Sequence, residues 1–522
     1  MDTKRASEGG ITGAASIIGA ATVLSRILGY MRDAVIAFAF GAGLYSDAFF
    51  MAFRITNLMR RLLGDGALTS SFVPIFTEEL NIRTREEARG LVTKVFSLLV
   101  LILVPLSIIG ILLSKQLVWL LSPGFASDPV KFSITINLTR IMFPYIIFVG
   151  LMAVAMGVLN SFKYFTAPAI SPVFFNIALI TSVLVLARFF TTPVYALALG
   201  VLLGGAAQFL IQVPYLKKYG MFPQGTLNFK DPAIKKIFIL MGPAAFGVGV
   251  YQLNIFVTTW FASHLAEGSI SYLYYAGRLM ELPLGVFGVA ISTAALPSLS
   301  EYVVQKDWDT FKSTLSFSIR LVNFVMIPAT VGLLALGTPI VDVLFRRGEF
   351  HGAAAAGTAV ALSYYALGLV PVSVSRILIS GFYSLKDTTT PVYVAVISFI
   401  FNVILCFILI GPLKHGGLAL ATSLSSSLNA GLLFVILKRR LGKFGGSVIV
   451  SSAVRSGGAS FGMGLIVYLM MYGTGFATMG RGLKSMAIML ILATAIVAYI
   501  LFARAFKAPE VAFLKGILNK RR

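Results

Sequence analysis

The sequence predicts an all-α integral membrane protein with 14 transmembrane helices, and three observations support this fold class. The 522 residues are 57% hydrophobic and only 12% charged, about half the charged fraction of an average soluble domain. Apolar stretches along the whole chain reach the length of about 20 residues that a membrane-spanning helix needs. The Lys and Arg residues between these stretches fall mostly in alternate connections.

The apolar stretches define the predicted spans in chain order. The first span contains Arg26 and lacks the small-residue cleavage site of a signal peptide. The polar segment 78–89 is expected to form a short amphipathic helix of its own on the cytoplasmic side. The predicted spans are residues 11–31, 34–59, 91–121, 132–160, 168–188, 193–216, 233–262, 270–300, 313–344, 353–383, 391–411, 416–438, 446–473 and 483–506.

The distribution of cations predicts that both termini lie in the cytoplasm. The set of connections that includes the termini is rich in Lys and Arg, for example Arg83, Arg89 and residues 438–440, whereas the opposite set carries few, among them Lys115 and Lys131. An excess of cations marks the cytoplasmic loops of membrane proteins. The predicted connections are too short for a soluble catalytic domain, and the sequence has no G-x-x-x-x-G-K-[ST] phosphate-binding loop, which argues against an ATP-driven pump.

A weak internal repeat predicts the arrangement of the helices. The residues Arg54, Gly64 and Thr69 are matched at a constant offset by Arg278, Gly288 and Thr293. The two segments belong to the second and eighth spans, which cross the membrane in the same direction. We therefore predict parallel repeats of six helices, residues 1–216 and 217–440, followed by two further helices and a basic tail in residues 441–522. Such repeats occur in transporters that open a central site alternately to either side.

Arginines within predicted spans are the candidate functional residues. They are Arg26, Arg54, Arg140, Arg278, Arg376 and Arg455. An arginine near the bilayer centre costs about 2.5–3.5 kcal/mol on insertion scales, although Arg140 and Arg455 can reach the headgroups from a helix end. The other four are expected to line a hydrated cavity, with Asp33, Asp47 and Glu281 as acidic partners, and to bind an anion, because a guanidinium pairs with two phosphate oxygens. Alternatively, each pair only locks helices together.

Six segments carry a resemblance to a known family. Their order and sequence resemble the MurJ (MviN) family of lipid II flippases, within the multidrug/oligosaccharidyl-lipid/polysaccharide exporter superfamily. The resemblance implies two six-helix lobes in a V shape, plus two C-terminal helices that help to form a lipid-facing groove. The segments are SRILGYMRDAVIAFAFG (25–41), SDAFFMAFRITNLMRRL (46–62), GALTSSFVPIF (66–76), YYAGRLMELPLGVFGVAISTAALPSLS (274–300), ISGFYSLKDTTTPV (379–392) and GPLKHGGLALATSLSSSLNA (411–430).

The resemblance also implies a function and a set of site residues. It implies transport of lipid II, the undecaprenyl-diphosphate-linked peptidoglycan precursor, from the cytoplasmic to the periplasmic leaflet of the bacterial inner membrane, without enzymatic activity. The expected substrate-binding residues are Arg26, Arg54 and Arg278, which match family positions, and Arg376, which is inferred from its place in a span. The expected gating or charge-pairing residues are Arg32, Asp33, Asp47, Arg60, Arg61, Asp65 and Glu281.

The sequence departs from the family pattern at three positions. Thr56 replaces the usual proline of the second helix, and Asp65 replaces a glutamate. Asn402 is followed by Cys406 where some relatives have an acidic residue, which argues against a sodium site of the family type. We expect no metal site and no cofactor; coupling to a monovalent ion stays open. The expected partners are lipid II, bilayer lipids and other membrane proteins of peptidoglycan synthesis, and no nucleic acid is expected.

Three alternatives remain from the sequence. A related exporter could carry another polysaccharide-lipid or drugs, although exporters of cationic drugs should favour acidic sites. A membrane-embedded enzyme acting on the same lipid would need a catalytic carboxylate beside a large external loop, and the sequence has no such loop. A scaffold or an anion channel would account for arginines within spans but not for the repeat.

Overall fold

The structure is a computed structural model that describes residues 2–63, 67–228, 230–473 and 475–512. Within these ranges every regular element is helical, which confirms the predicted all-α class. The chain divides into two compact units, one formed by Met1–Ile270 with Arg347–Phe350 and the other by Ser271–Arg346 with His351–Arg522.

The helices of the first unit run from the N-terminus to residue 263. They are α1 (Asp2–Phe40), α2 (Leu44–Leu63), α3 (Ala67–Ile82), α4 (Arg85–Leu112), α5 (Ser114–Leu121), α6 (Pro129–Met142), α7 (Tyr145–Ser161), α8 (Thr166–Thr181), α9 (Tyr195–Leu210), α10 (Val213–Lys218) and α11 (Pro232–Ser263). The sequence analysis assigns α11 to the C-terminal lobe, whereas here it packs in the first unit against α2 and α3. The lobe boundaries stay a prediction.

The remaining helices form the second unit, although the first two residues of the first of these helices, residues 269 and 270, still belong to the first unit. They are α12 (Ser269–Pro283), α13 (Val289–Gln305), α14 (Trp308–Leu344), α15 (Gly352–Ala366), α16 (Leu369–Ser384), α17 (Thr389–Leu441), α18 (Gly446–Gly473) and α19 (Arg481–Ala505). A π-helical turn, Leu284–Gly288, joins α12 to α13. The two C-terminal helices pack against each other and against α14, and the Tyr499 hydroxyl donates a 2.6 Å hydrogen bond to the Phe324 carbonyl.

The apolar helices make the protein a multi-pass membrane protein. In the described ranges, nine helical segments are long and apolar enough to cross a membrane, and α15 and α16, bent by 42°, form a tenth if they are counted together. The segment α17 has 53 residues, about 80 Å if straight, and Lys414 (φ 51°, ψ −130°) interrupts it. The break lies between the predicted spans 391–411 and 416–438. The number 14 and the orientation of the termini stay predictions.

The segment 78–89 does not form the separate amphipathic helix that its composition predicts. It contains the end of α3 and the beginning of α4, with a break at residues 83–84. Thr84 causes the break because it caps α4: its hydroxyl accepts a hydrogen bond from the Glu87 amide, and the Glu87 carboxylate accepts one from the Thr84 amide. This reciprocal capping box satisfies two backbone amides at the beginning of the helix.

Within the first unit, α4 also holds the connection between α10 and α11. The amide of Thr226 donates to the Ser97 hydroxyl at 2.9 Å. At the end of the connection, Asp231 caps α11 by accepting from the Ala233 amide and pairs with Arg83 at 3.0 Å and Lys94 at 3.1 Å. The described residues of this connection, 219–228 and 230–231, therefore follow the surface of α4 instead of forming a free loop.

Candidate functional site

The polar residues of α1 form a buried cluster with α8. The Arg32 guanidinium donates to Asp33 Oδ1 at 2.7 Å and 3.0 Å and to the Asn176 side-chain oxygen at 3.1 Å. The Asn176 amide in turn donates to the Ser25 carbonyl. Arg32 and Asp33 are 8% and 0% exposed. The predicted pairing of Arg32 with Asp33 is present. Asn176 is a partner that the sequence analysis missed, although an amide side chain in an apolar helix is a sign of a buried hydrogen bond.

Arg26 occupies a different environment on the same helix. Its side chain is exposed, whereas Asp33, two turns later, is completely buried and hydrogen-bonded to Arg32. The spacing of seven residues, two helical turns, predicts a shared helix face for Arg26 and Asp33. The charge of Asp33 is balanced by its immediate neighbour Arg32, and this shared face stays a prediction.

Asp47, near the beginning of α2, is the centre of a second buried charge pair. Its Oδ2 accepts from Lys131 Nζ at 2.8 Å and from the Gly268 amide at 2.8 Å. The Lys131 ammonium also lies 4.3 Å from the ring centre of Phe125. The sequence analysis counted Lys131 among the loop cations, but this assignment was wrong: it lies in the first turn of α6 and is 6% exposed. Asp47 thus joins α2, α6 and the chain after α11.

The remaining candidates of the first unit lie on or after α2. The Arg54 guanidinium is half-buried and donates to the Thr259 hydroxyl of α11. The Arg60 guanidinium donates to the Asn57 side-chain oxygen at 2.6 Å. Asp65 and the side chain of Arg61 lie outside the described part of the chain, so their roles stay predictions.

Thr56, at the position where the family resemblance implies a proline, lies within a continuous α2. Its hydroxyl donates to the carbonyls of Ala52 and Phe53, within the previous turn, and the helix runs from Leu44 to Leu63. A proline at this position would remove a backbone donor and would clash with the carbonyl four residues earlier. The substitution therefore preserves a regular helix around Arg54.

The candidates of the second unit lie on α12 and α16. Arg278 donates to Glu281 Oε2 at 2.9 Å, one turn later on α12, with 29% of its side chain exposed. This predicted pair is present. Arg376 is exposed on α16, and it has no hydrogen bond or ion pair with any side chain that the structure describes. Both guanidinium groups are accessible to a ligand, whereas the predicted convergence of all four arginines on one cavity stays a prediction.

Asn402, at which the sequence departs from the family resemblance, is buried and hydrogen-bonded within the second unit. The buried Asn402 amide donates to the Ser425 hydroxyl at 3.4 Å, and the Cys406 thiol donates to the Asn402 side-chain oxygen at 3.6 Å. This set offers an amide, a hydroxyl and a thiol but no carboxylate, and the expectation that no sodium site of the family type is present stays a prediction. The described residues also contain no group of three or more His, Cys, Asp or Glu that could hold a metal ion.

These observations define a multi-pass helical membrane protein in which charged side chains form ion pairs along its helices and between them. A family model described as lipid II flippase MurJ matches residues 36–481. Lipid II flippase MurJ of Burkholderia cenocepacia is 39% identical over 423 residues, which cover 80% of this chain and 82% of the relative. The probable lipid II flippase MurJ of Bdellovibrio bacteriovorus is 34% identical over 503 residues and 96% of each chain. The chain therefore belongs to the lipid II flippase MurJ family, a family of transporters and not of enzymes.

Solved structures agree with this assignment. A structure described as lipid II flippase MurJ in an inward closed conformation has a TM-score of 0.76 and 26% sequence identity, and the match covers 95% of this chain and 99% of that one. An inward-facing multidrug resistance transporter of the MATE family, in the MOP superfamily, has a TM-score of 0.67 at 14% identity, over 81% of this chain and 95% of that one. The second match shows a common fold only.

Proposed function

We propose that this protein flips lipid II, the undecaprenyl-diphosphate-linked peptidoglycan precursor, from the cytoplasmic to the periplasmic leaflet of the bacterial inner membrane. Membership of the MurJ family is the observation that carries the proposal. The arginines of the predicted spans support it, because a diphosphate is an anion that guanidinium groups bind with two parallel hydrogen bonds. Lipid II, bilayer lipids and other membrane proteins of peptidoglycan synthesis are the proposed partners.

The proposed architecture has 14 spans, with both termini in the cytoplasm. Helices one to six and seven to twelve would form two lobes, and the last two spans would lie outside this repeat. The distribution of Lys and Arg along the sequence supports the orientation. The break at Lys414 supports two crossings within residues 389–441, since one straight crossing needs only about 20 residues.

The proposed mechanism is alternating access. Arg26, Arg54, Arg278 and Arg376 bind the diphosphate in an inward-open state, while the lipid tail stays in the bilayer. The pair of Arg32 and Asp33 belongs to the closure on the periplasmic side, together with Asp47. Outward opening exposes the diphosphate to water and ions, which weakens its binding. A membrane potential acts with about 2.3 kcal/mol per elementary charge per 100 mV, enough to bias a cavity with several positive charges.

The substitution Arg278→Ala tests the proposal. We expect it to abolish translocation, because it removes the guanidinium that the substrate would contact, and Arg278→Lys to retain only part, because an ammonium cannot form the two-point contact. The measurement is the lipid II accessible at the outer face of cells that are depleted of their own flippase and complemented with each variant.

Arg346→Ala is the matched control for this experiment. Arg346 also pairs with a carboxylate one turn away, Asp342 at 3.2 Å, but its side chain is 53% exposed and follows the end of α14. Translocation should persist in this variant at an equal protein level. Normal translocation by Arg278→Ala would exclude Arg278 from substrate binding, and failure of the unchanged protein to complement would refute the proposed function.

A further inference from the structure

Left-handed backbone positions in this protein show an unusual preference for lysine. In the described part of the chain, five residues other than glycine have a positive φ, between 51° and 60°, and all are lysines: Lys163, Lys306, Lys386, Lys414 and Lys507. A residue with a Cβ atom is strained in this region, whereas glycine is not. The recurrence of one residue type at strained positions suggests that its side chain has a role.

Four of these lysines occupy the same local structure at the end of a helix. After α7, the Lys163 amide donates to the Asn160 carbonyl, and the following amide, of Tyr164, donates to the Leu159 carbonyl, each at 2.9 Å. The same two bonds end α13 at Lys306, α16 at Lys386 and α19 at Lys507. This is the Schellman motif, whose left-handed position is usually glycine.

The fold itself does not require lysine in this motif. The end of α10 has the same pair of bonds with Gly220 in the left-handed position. Among the described residues of the connections that the sequence assigns to the periplasmic side, three with a positive φ, Gly268, Gly348 and Gly475, are glycines, and the fourth is Lys414. The fifth lysine, Lys414, lies in the break of α17 with a ψ of −130° and is not part of such a cap.

The four cap lysines present their charge to the surroundings. All four side chains are exposed, and none of the ammonium groups has a hydrogen-bond or ion-pair partner among the residues that the structure describes. Each lies at a helix end that the sequence assigns to the cytoplasmic surface. Cations at this depth attract the phosphates of anionic lipids. Their attraction to the partial negative charge of a helix C-terminus is small when the side chain is exposed to solvent.

We infer that Lys163, Lys306, Lys386 and Lys507, the cap lysines, are contact sites for the phosphate groups of anionic phospholipids in the cytoplasmic leaflet. Binding of a headgroup offsets the backbone strain that each lysine introduces in place of glycine. The inference rests on the proposed orientation for the leaflet, but not on the identity of the transported substrate.

A fourfold Lys→Gly variant of the full chain tests this inference. Its thermal unfolding is compared with that of the unchanged protein in vesicles of phosphatidylcholine alone and of phosphatidylcholine with phosphatidylglycerol. In phosphatidylcholine we expect the variant to melt about 1–3 °C higher, because glycine relieves the strain. Phosphatidylglycerol should raise the melting temperature of the unchanged protein, and the variant should lose about half of that gain or more.

Two further variants make the test specific. The fourfold Lys→Arg variant keeps both the charge and the strain, so it should behave as the unchanged protein. Gly220→Lys should show the opposite pattern, a lower melting temperature in phosphatidylcholine and a larger gain with phosphatidylglycerol; a Cβ atom at Gly220 meets nothing within 4 Å.

Two results would overturn the inference. One is an equal gain with phosphatidylglycerol for the unchanged protein and the fourfold glycine variant. The other is a glycine variant that is less stable in both lipids. That result would show that the lysines only stabilise the ends of their helices. Neither measurement involves lipid II, so a failure here is distinguishable from a failure of the proposed transport function.

Discussion

At the scale of single residues, buried charges of the first unit occur as pairs with additional hydrogen bonds. Asp33 is paired with Arg32, and Asp47 with Lys131 and a backbone amide. Burying a charge without a partner is costly in free energy, because the ion loses its hydration without compensation. These residues therefore have a structural role whatever part they take in gating.

Loss of one partner from the Asp47–Lys131 pair should be strongly destabilising. In Lys131→Met, which keeps the apolar stem, we expect a loss of about 3–5 kcal/mol in the free energy of unfolding, because the Asp47 carboxylate stays buried at 1% exposure. The double variant Asp47→Asn with Lys131→Met should lose less than the sum of the two single variants. Denaturation of the purified protein in mixed micelles measures all three.

Lys115→Met is the control for this cycle. Lys115 is an exposed lysine at the beginning of α5, so its loss should change the free energy of unfolding by about 0.5 kcal/mol or less. An additive double variant would show that Asp47 and Lys131 do not interact in the folded protein.

The sequence predicts local charge pairs better than distant ones. Arg278 lies one helical turn before Glu281, so helical periodicity is enough to suggest this pair. The pair of Arg32 and Asp33 is an expectation from the family resemblance, since neighbouring residues on a helix do not face each other. Lys131 is 84 residues from Asp47, and a lysine close to a predicted helix end is usually a loop cation. Only the packing of α2 against α6 brings the two together.

At the scale of helices, the sequence predicts where apolar segments occur but not where they break. The breaks at Thr84 and Lys414 depend on side-chain capping and on a single left-handed residue, neither of which changes the hydropathy. The polar connection 219–231 likewise reads as a free loop, and its attachment to α4 depends on hydrogen bonds between residues more than 100 positions apart.

The attachment through Asp231 should depend on pH. Burial alone would raise the pKa of the Asp231 carboxyl, but hydrogen bonds from Arg83, from the Ala233 amide and from Lys94 hold this pKa below its ordinary value of 3.8. Because the folded-state pKa is depressed, the stabilisation is complete at pH values above 3.8 and is lost as the pH falls through the lower, folded-state value. We expect the connection to become accessible to an acid-active protease only in that strongly acidic range.

Asp231→Asn should expose the connection already at neutral pH. The amide can still cap α11, but it cannot neutralise Arg83 and Lys94, so proteolysis within residues 219–231 should become several-fold faster. Asp307→Asn is the matched control, because Asp307 caps α14 through the Thr310 amide and has no ion pair among the described residues. Equal cleavage in the unchanged protein and Asp231→Asn would show that the ion pairs do not hold the connection.

At the scale of the whole molecule, hydropathy and charge predict a polytopic membrane protein, and the family match agrees. Length and composition identify nine or ten spans among the described helices. Two of the predicted 14 spans fall within α17, which counts once. The predicted second span, α2, contains Asp47, Arg54 and Arg60, charged residues that lower its hydropathy.

The predicted topology can be tested with single cysteines, because the chain has one native cysteine and it is completely buried. In a Cys406→Ser background, Lys218→Cys should be protected from a membrane-impermeant maleimide in intact cells, and Arg481→Cys should be labelled. Both positions are exposed, so they differ only in the predicted side of the membrane. Permeabilised cells provide the control, in which both should react. Labelling of both in intact cells, or of Lys218→Cys alone, would contradict the orientation, and with it the direction in which an inward-open cavity would face.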